Sequence, residues 1–142
     1  MSRPARIDPS LELFLQTVLE RKALDIVALD VSALTTMADT FIICSGRSNR
    51  QVSAIAAHIL KTLKKRCIRP LSVEGRKEGH WVLMDYGHIV IHIFYEPVRS
   101  FYNLESLWSD AVRIRTPALE AAEDQAHRND ANTGEIIDEW IE

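Results

Sequence analysis

The sequence WVLMDYGHIVIHIF, residues 81–94, contains two strand-like runs around Tyr86-Gly87 and predicts a β-hairpin. A two-residue loop fixes hairpin register. The predicted pairs are Asp85 with His88, Leu83 with Val90, and Trp81 with His92. Because side chains alternate between the faces of a strand, one face is aliphatic and is predicted to be core: Val82, Met84, Ile89, Ile91 and Ile93. The opposite face carries the other side chains of the two strands, with Trp81, two histidines and an aspartate among them.

That opposite face is open to three interpretations: a polar surface, a partner-binding patch, or a catalytic or metal site. Metal binding is disfavoured, because His88 and His92 are four residues apart, about 13 Å along a strand, and cannot share one ion. An exposed Trp with a polar rim is typical of a protein-interface anchor, and Trp81 fits that description. How much of this face is buried against the protein's own helices stays open, since His92 and Phe94 also suit a core.

Outward from the hairpin, the patterns predict the element order α-β-β-α-β-β-β-α. Asp8-Pro9 caps a first helix, and the capping box Ser48 to Gln51 begins a second helix that ends near Lys65. Short apolar strands are expected at 26–31, 40–45 and 71–73, and Glu96-Pro97 starts a helix after the hairpin. The fold class is therefore α/β: a single small domain with a mixed, mostly five-stranded sheet and packed helices.

Length and composition fit one domain over residues 1–112, followed by an acidic, mobile tail over residues 113–142. The chain has 142 residues, 46% of them hydrophobic and 26% charged, as in soluble globular proteins. No apolar run is long enough for a membrane span. Two cysteines, Cys44 and Cys67, do not make a disulfide framework and indicate a reducing, cytoplasmic setting. Late apolar residues of the tail are predicted to dock as a short anchor: Ile136, Ile137, Trp140 and Ile141.

Charge is segregated along the chain, although the net charge is only -3. Residues 40–73 contain seven basic residues and no acid, whereas residues 116–142 contain eight acids and one Arg. Helical spacing aligns Arg50, Lys61 and Lys64, and Arg47 lies just before them. This basic face is either a solvated surface or one that contacts nucleic-acid phosphates.

The strand-loop-helix layout at Ser45 to Ser48 is also found in phosphate loops and nucleotidyl transferases. It lacks the Gly-rich pattern and the Lys of a P-loop. Nucleotidyl transfer needs neighbouring carboxylates that hold a divalent metal, and nothing in the sequence pairs Asp39 with Glu74. A polymerase-like activity is therefore disfavoured.

Three segments together resemble the ribosomal silencing factor family, also called the RsfS or Iojap family. They are ADTFIICSGRSNRQV (38–52), EGRKEGHWVLMDYGHIVIHIF (74–94) and VRSFYNLESLW (98–108), and the resemblance covers roughly Ala23 to Trp108. The matching residues include Asp39, Phe41, Gly46, Ser48, Arg50, Gln51, Glu74, Gly75, Gly79, Trp81, Asp85, Tyr86, Gly87, His92, Phe94, Phe101, Tyr102, Leu104, Glu105 and Trp108. Met84, His88 and Ser100 depart from the pattern, and an acid is common at the position of His88.

The resemblance implies a small α/β domain with nucleotidyltransferase-like topology but without catalytic carboxylates, catalysis or a cofactor. It also implies binding to the large ribosomal subunit through ribosomal protein L-fourteen, which blocks subunit joining and represses translation under nutrient limitation. Without a visible transit peptide, the chain is similar to the bacterial, cytoplasmic form. The alternative from another class is a nucleotide-binding or degenerate nucleotidyl transferase enzyme, and a third is a general RNA-binding module.

Combined with the residue patterns, this resemblance locates two surfaces. The expected partner-binding residues are Trp81, Asp85, Tyr86, His92, Phe94, Tyr102 and Trp108. The expected RNA-facing residues, which would contact the backbone of ribosomal RNA, are Arg47, Arg50, Lys61 and Lys64. No metal and no membrane contact is expected. An exposed aromatic face can also self-associate as a homodimer when free, so the oligomeric state stays open.

Overall fold

In the computed structural model, the backbone is described for residues 8–140 and the side chains for residues 8–128. The helices are α1 (Pro9–Leu19), α2 (Asn49–Lys65), α3 (Glu96–Tyr102), α4 (Leu104–Leu107) and α5 (Pro117–Trp140). The strands are β1 (Leu24–Asp30), β2 (Thr40–Gly46), β3 (Ser72–Glu74), β4 (Trp81–Asp85), β5 (Ile89–Tyr95) and β6 (Val112–Arg113). They form one sheet in the order β3-β4-β5-β2-β1-β6. The predicted α/β fold with a mixed sheet is confirmed, and β6 is a sixth strand that the sequence patterns missed.

The centre of the sheet is the parallel pair β2 and β5, in register from Thr40 opposite Ile89 to Gly46 opposite Tyr95. All other strand pairs are antiparallel. Every residue of β2 is buried, as expected for a continuous apolar strand that is covered on both faces. The two central strands therefore divide the interior into two cores, one on each face of the sheet.

The hairpin of β4 and β5 turns at Gly87-His88, one residue later than predicted. The Tyr86 N–H donates to the Ile89 carbonyl at 2.9 Å, and the Gly87 N–H donates to Asp85 Oδ1 at 2.8 Å. Gly87 has φ 90°, which suits the first position of a two-residue loop. The predicted pairs are therefore wrong by two residues: Trp81 lies opposite Phe94, and the other observed partners are Leu83 with His92 and Asp85 with Val90.

Because this shift is an even number of residues, the side chains of β4 and β5 stay on their predicted faces. His88, in the turn, is the exception: it lies on the side of α1, where its ring is 5.9 Å from that of Phe14. The predicted aliphatic core is confirmed, since its five residues are fully buried. These residues belong to a first core that α1, α2 and the start of α5 cover. A second core on the opposite face contains Phe41, Ile43, Val90 and Phe94. Half-buried Trp81 and Trp108 pack at its border.

The N-terminal caps follow the sequence closely. Asp8 caps α1 by accepting from the Ser10 N–H, and His88 lies 3.1 Å from the Asp8 carboxylate instead of pairing with Asp85. Ser48 caps α2 by accepting from the Gln51 N–H at 3.0 Å. The Gln51 side chain accepts from the Arg47 N–H, one residue earlier than a standard capping box requires.

The end of the domain lies later than predicted. Ile114 and Leu119 are only 3% and 7% exposed and pack in the first core, so the predicted boundary between residues 112 and 113 falls inside β6. Glu12 of α1 joins this segment to the domain, because its Oε1 accepts from the Ala118 N–H at 3.0 Å and from Thr116 Oγ1 at 3.2 Å. The predicted tail anchor (Ile136, Ile137, Trp140 and Ile141) lies outside the residues whose side chains are described.

The bond between Glu12 and the start of α5 gives a first prediction. Replacing Glu12 by Ala should lower the free energy of unfolding by about 1 to 2 kcal/mol, because the Ala118 N–H and the Thr116 hydroxyl lose their acceptor. Urea unfolding measures this loss, and hydrogen exchange should show faster exchange of the Ala118 amide. The Glu12→Gln variant is the matched control, since it keeps an oxygen acceptor. Equal stability of the Ala variant and the wild type would contradict this role.

Candidate functional site

The short helices α3 and α4 stand over the end of β5 and are fixed to the sheet by Arg99. Its Nε donates to Glu105 Oε1 at 2.7 Å, and its Nη1 donates to Ser45 Oγ and to the Asp25 carbonyl, both at 2.8 Å. Asn103 has φ 47° and separates the two helices with a left-handed turn. Arg99 thereby ties both helices to β1 and β2.

Beside α3 lies an apolar cleft of about 340 Å³. It is lined by His80, Trp81, Pro97, Val98, Phe101 and Tyr102. Phe101 is 82% exposed and Tyr102 is 53% exposed, and their rings meet edge to face at 5.2 Å. Trp81 forms the floor of the cleft, with its ring centre 5.1 Å from that of Tyr102. Exposed aromatic side chains around a half-buried Trp are typical of protein-binding surfaces.

The floor of this aromatic cleft rests on the second core. The Trp81 indole stacks on Phe94 at 4.8 Å, and its Nε1–H donates to His92 Nδ1 at 3.2 Å. Burial lowers the pKa of His92 to about 4, so its ring is neutral at ordinary pH and its Nδ1 accepts this bond. The buried rings of Phe94 and His92 therefore hold Trp81 in position.

The structure brings only part of the expected partner-binding set to one surface. Trp81 and Tyr102 meet in the cleft, and Trp108 lies nearby at the border of the second core, with its ring edge-on to Phe41 at 5.0 Å. His92 and Phe94 are buried below, because α3 and α4 cover the face that carries them. These two side chains support the cleft and are not part of its exposed surface.

Tyr86 and Asp85 lie away from the aromatic cleft. Tyr86 is buried on the opposite face, where its ring meets Phe14 at 5.1 Å, and burial raises its pKa to about 12. It faces the first core because it continues the alternation of β4 past the predicted turn. Asp85 is half-buried and accepts from the Gly87 N–H. The expectation that Tyr86 forms part of an exposed binding face is therefore corrected.

Phe101 is the main surface residue that the sequence patterns missed. The sequence pointed to it only as one of the residues that match the family pattern. A helix of seven residues is too short for periodicity to distinguish a buried ring from an exposed one. The signal that was available is the run of Phe101 and Tyr102 in succession, since adjacent helical residues face different directions.

The four expected RNA-facing residues, Arg47, Arg50, Lys61 and Lys64, are all exposed. None of them forms an ion pair with a side chain that the structure describes. Arg50 and Lys64 are 14 positions apart in α2, about 21 Å along the axis, so the basic surface is long. Its N-terminal end approaches the cleft, because Gly79 packs against the backbone of Asn49 and His80 lines the cleft.

The loop from Ser45 to Ser48 is occupied by internal contacts. Ser45 is buried and bonded to Arg99, and the side chains of Ser48 and Gln51 already accept from loop and helix amides. Gly46 has no room for a side chain, since a Cβ would lie 2.9 Å from Val52. The amides that a bound phosphate would need are thus partly used within the protein.

The described residues also offer no metal clamp. Glu74 on β3 lies three strands from β2, about 14 Å, so it cannot share an ion with Asp39. Among the side chains of residues 8–128, no group of three or more His, Cys, Asp or Glu is placed to hold a metal. Burial raises the pKa of the Cys44 thiol to about 12, which leaves it unreactive. Within the described chain, no helix combines the length and apolarity that a membrane crossing needs.

Known proteins are similar to this chain in sequence and in fold. A family model described as "Ribosomal silencing factor during starvation" matches residues 4–138. Ribosomal silencing factor RsfS of Bacillus subtilis is 45% identical over 92 residues, which cover 65% of this chain and 78% of the relative. That of Halalkalibacterium halodurans is 41% identical over 104 residues, covering 73% and 89%. A crystal structure of a Chromobacterium violaceum protein aligns with a TM-score of 0.70 and 36% identity, and covers 73% of this chain and 87% of that one.

Because His92 is buried and neutral, we expect the free energy of unfolding to depend on pH. Its pKa is 6.5 in the unfolded chain and about 4 in the fold. As the pH falls, the unfolded chain therefore binds a proton before the folded protein does. The contribution of neutral His92 to the free energy of unfolding is complete above pH 6.5 and decreases toward pH 4. Between pH 7 and pH 5 the wild type should lose about 2 kcal/mol more than His92→Leu, as measured by urea unfolding. Parallel losses in the two proteins would contradict the assignment.

Proposed function

The chain belongs to the ribosomal silencing factor family, and on this basis we propose that it binds the large ribosomal subunit through ribosomal protein L-fourteen. Bound there in the cytoplasm, it blocks joining of the small subunit and represses translation when nutrients are scarce. The observation that carries this proposal is the aromatic cleft, where Trp81, Phe101 and Tyr102 present a continuous apolar surface. Such a surface exposed on a small domain supports a role in protein binding.

The proposed mechanism is steric and uses no catalytic residue. A bound domain needs only to occupy the joining surface with an affinity that exceeds that of the small subunit. Trp81 and Phe101 supply the kind of rigid aromatic contact that dominates the energy of protein interfaces. Arg99 fixes α3 on the sheet, so little ordering is left for the moment of binding.

Basic residues next to the cleft support a second contact, with the backbone of ribosomal RNA. Arg47 and Arg50 lie at the end of α2 that approaches the cleft, and they are exposed. Lys61 and Lys64 extend the same charge along the helix. A protein partner would occupy the cleft while RNA phosphates contact the basic end of α2. Neither contact requires sequence-specific recognition of bases.

Exposed Phe101 provides the cleanest test of the protein contact. Replacing Phe101 by Ala should weaken co-sedimentation with isolated large subunits by roughly tenfold or more, since an aromatic contact at an interface is lost. Trp81→Ala should abolish it. Met37→Ala is the matched control, because Met37 is an exposed apolar residue that does not line the cleft. Unchanged binding of the Phe101 and Trp81 variants, with folding confirmed by circular dichroism, would contradict the assignment of this cleft.

The RNA contact predicts a specific dependence on salt. In the double variant Arg47→Ala, Arg50→Ala, the slope of log affinity against log salt for large subunits should decrease by about 1.5, because two phosphate contacts are lost. Arg113→Ala is the control, since Arg113 is exposed on β6 at the far edge of the sheet. An identical slope for the double variant and the wild type would show that these arginines face solvent.

A further inference from the structure

We propose that His92 is a positioning residue for partner binding: its Nδ1 holds the indole of Trp81 in the orientation against which the partner docks. This proposal rests on the proposed function, since it assumes that the partner contacts Trp81. It concerns a side chain that is itself 5% exposed and therefore acts through another residue.

The geometry places His92 where it can control the indole. Trp81 lies opposite Phe94 in the sheet, and His92 lies opposite Leu83, so Trp81 and His92 are diagonal neighbours on one face. The Trp81 Nε1–H is the only polar group of that side chain, and it donates to His92 Nδ1 at 3.2 Å. Stacking on Phe94, at 28° between the ring planes, fixes the indole plane, and this hydrogen bond fixes its rotation within that plane.

The imidazole that accepts this bond is itself held in place. Its ring packs against Phe41 at 5.0 Å in an edge arrangement and lies nearly parallel to Phe94 at 6.3 Å. Because Nδ1 accepts, the proton of the neutral ring is on Nε2. The pKa near 4 keeps this tautomer present throughout the physiological pH range.

A histidine at position 92 destabilises the fold if its role is only structural. Its Nε2 is buried and has no hydrogen-bond partner among the residues that the structure describes, which carries a free-energy cost. Neighbours on the same face, Leu83 and Val90, show that aliphatic side chains fit this layer. An aliphatic residue at position 92 would remove that cost but would leave the Trp81 indole without an acceptor. The benefit that distinguishes His from Leu here is therefore the bond to Trp81.

The test compares His92→Leu, which removes the acceptor, with His92→Asn, whose Oδ1 replaces Nδ1 at the same distance from the backbone. In full-length protein labelled with ¹⁵N-tryptophan, the indole N–H resonance of Trp81 is assigned with Trp81→Phe. We expect this resonance to move upfield in His92→Leu and to stay near its wild-type position in His92→Asn. Affinity for isolated large subunits should fall roughly tenfold in the Leu variant and recover in the Asn variant.

Val90→Ala is the control for a general loss of packing, because Val90 lies on the same face of β5, two residues away. It should lower stability without moving the Trp81 resonance or the affinity. A wild-type resonance and affinity in His92→Leu would overturn the proposal, as would an equal loss of binding in Val90→Ala.

Trp81→Ala separates this proposal from the proposed function. If Trp81→Ala binds large subunits as the wild type does, the docking surface itself is wrong, whatever His92 does. If Trp81→Ala fails to bind and His92→Leu binds normally, the docking surface stands and the positioning role of His92 is overturned.

Discussion

The parallel pairing of β2 with β5 is the constraint on which the rest of the structure depends. Its seven matched residue pairs bring Gly46 and Tyr95 side by side, and the chain leaves this edge as α2 and α3. α2 packs on one face of the sheet and the residues of α3 border the core on the other. The basic and aromatic surfaces therefore begin at the same edge, although they are on different helices.

Much of the fold follows from local patterns in the sequence. The aliphatic face of the hairpin was predicted correctly although the turn was placed one residue too early. An even shift in register leaves the alternation of side chains between the two faces unchanged. The caps at Asp8 and Ser48 are likewise local, since each bonds an amide two or three residues away. In contrast, β6 has two residues and no pattern, and Glu12 bonds an amide 106 positions later, so neither is visible in a window of sequence.

The residue types of the candidate site were predictable from the sequence, but the burial of each side chain was not. Trp81, Tyr102 and Trp108 were expected on one partner-binding surface, and the structure places the first two in the cleft. Whether His92 and Phe94 are exposed depends on α3 and α4, neither of which has a fully buried residue of its own. Their position depends on Arg99, whose partners come from β1, β2 and α4. No periodicity in the chain indicates the long-range hydrogen bonds from Arg99 to Asp25 and Ser45.

The bond between Glu12 and the start of α5 also bears on how the domain is made. It joins the first described helix to the last, so this part of the first core forms only after residues 114–119 have been synthesised. The parallel pairing of β2 with β5 is also non-local, and contacts of this kind slow folding because a long loop must close first. A nascent chain that stops before residue 114 would lack Ile114 and Leu119 and would leave exposed the apolar residues that these two cover. The contacts of Ile114 and Leu119 are therefore among the last of the first core to form during synthesis.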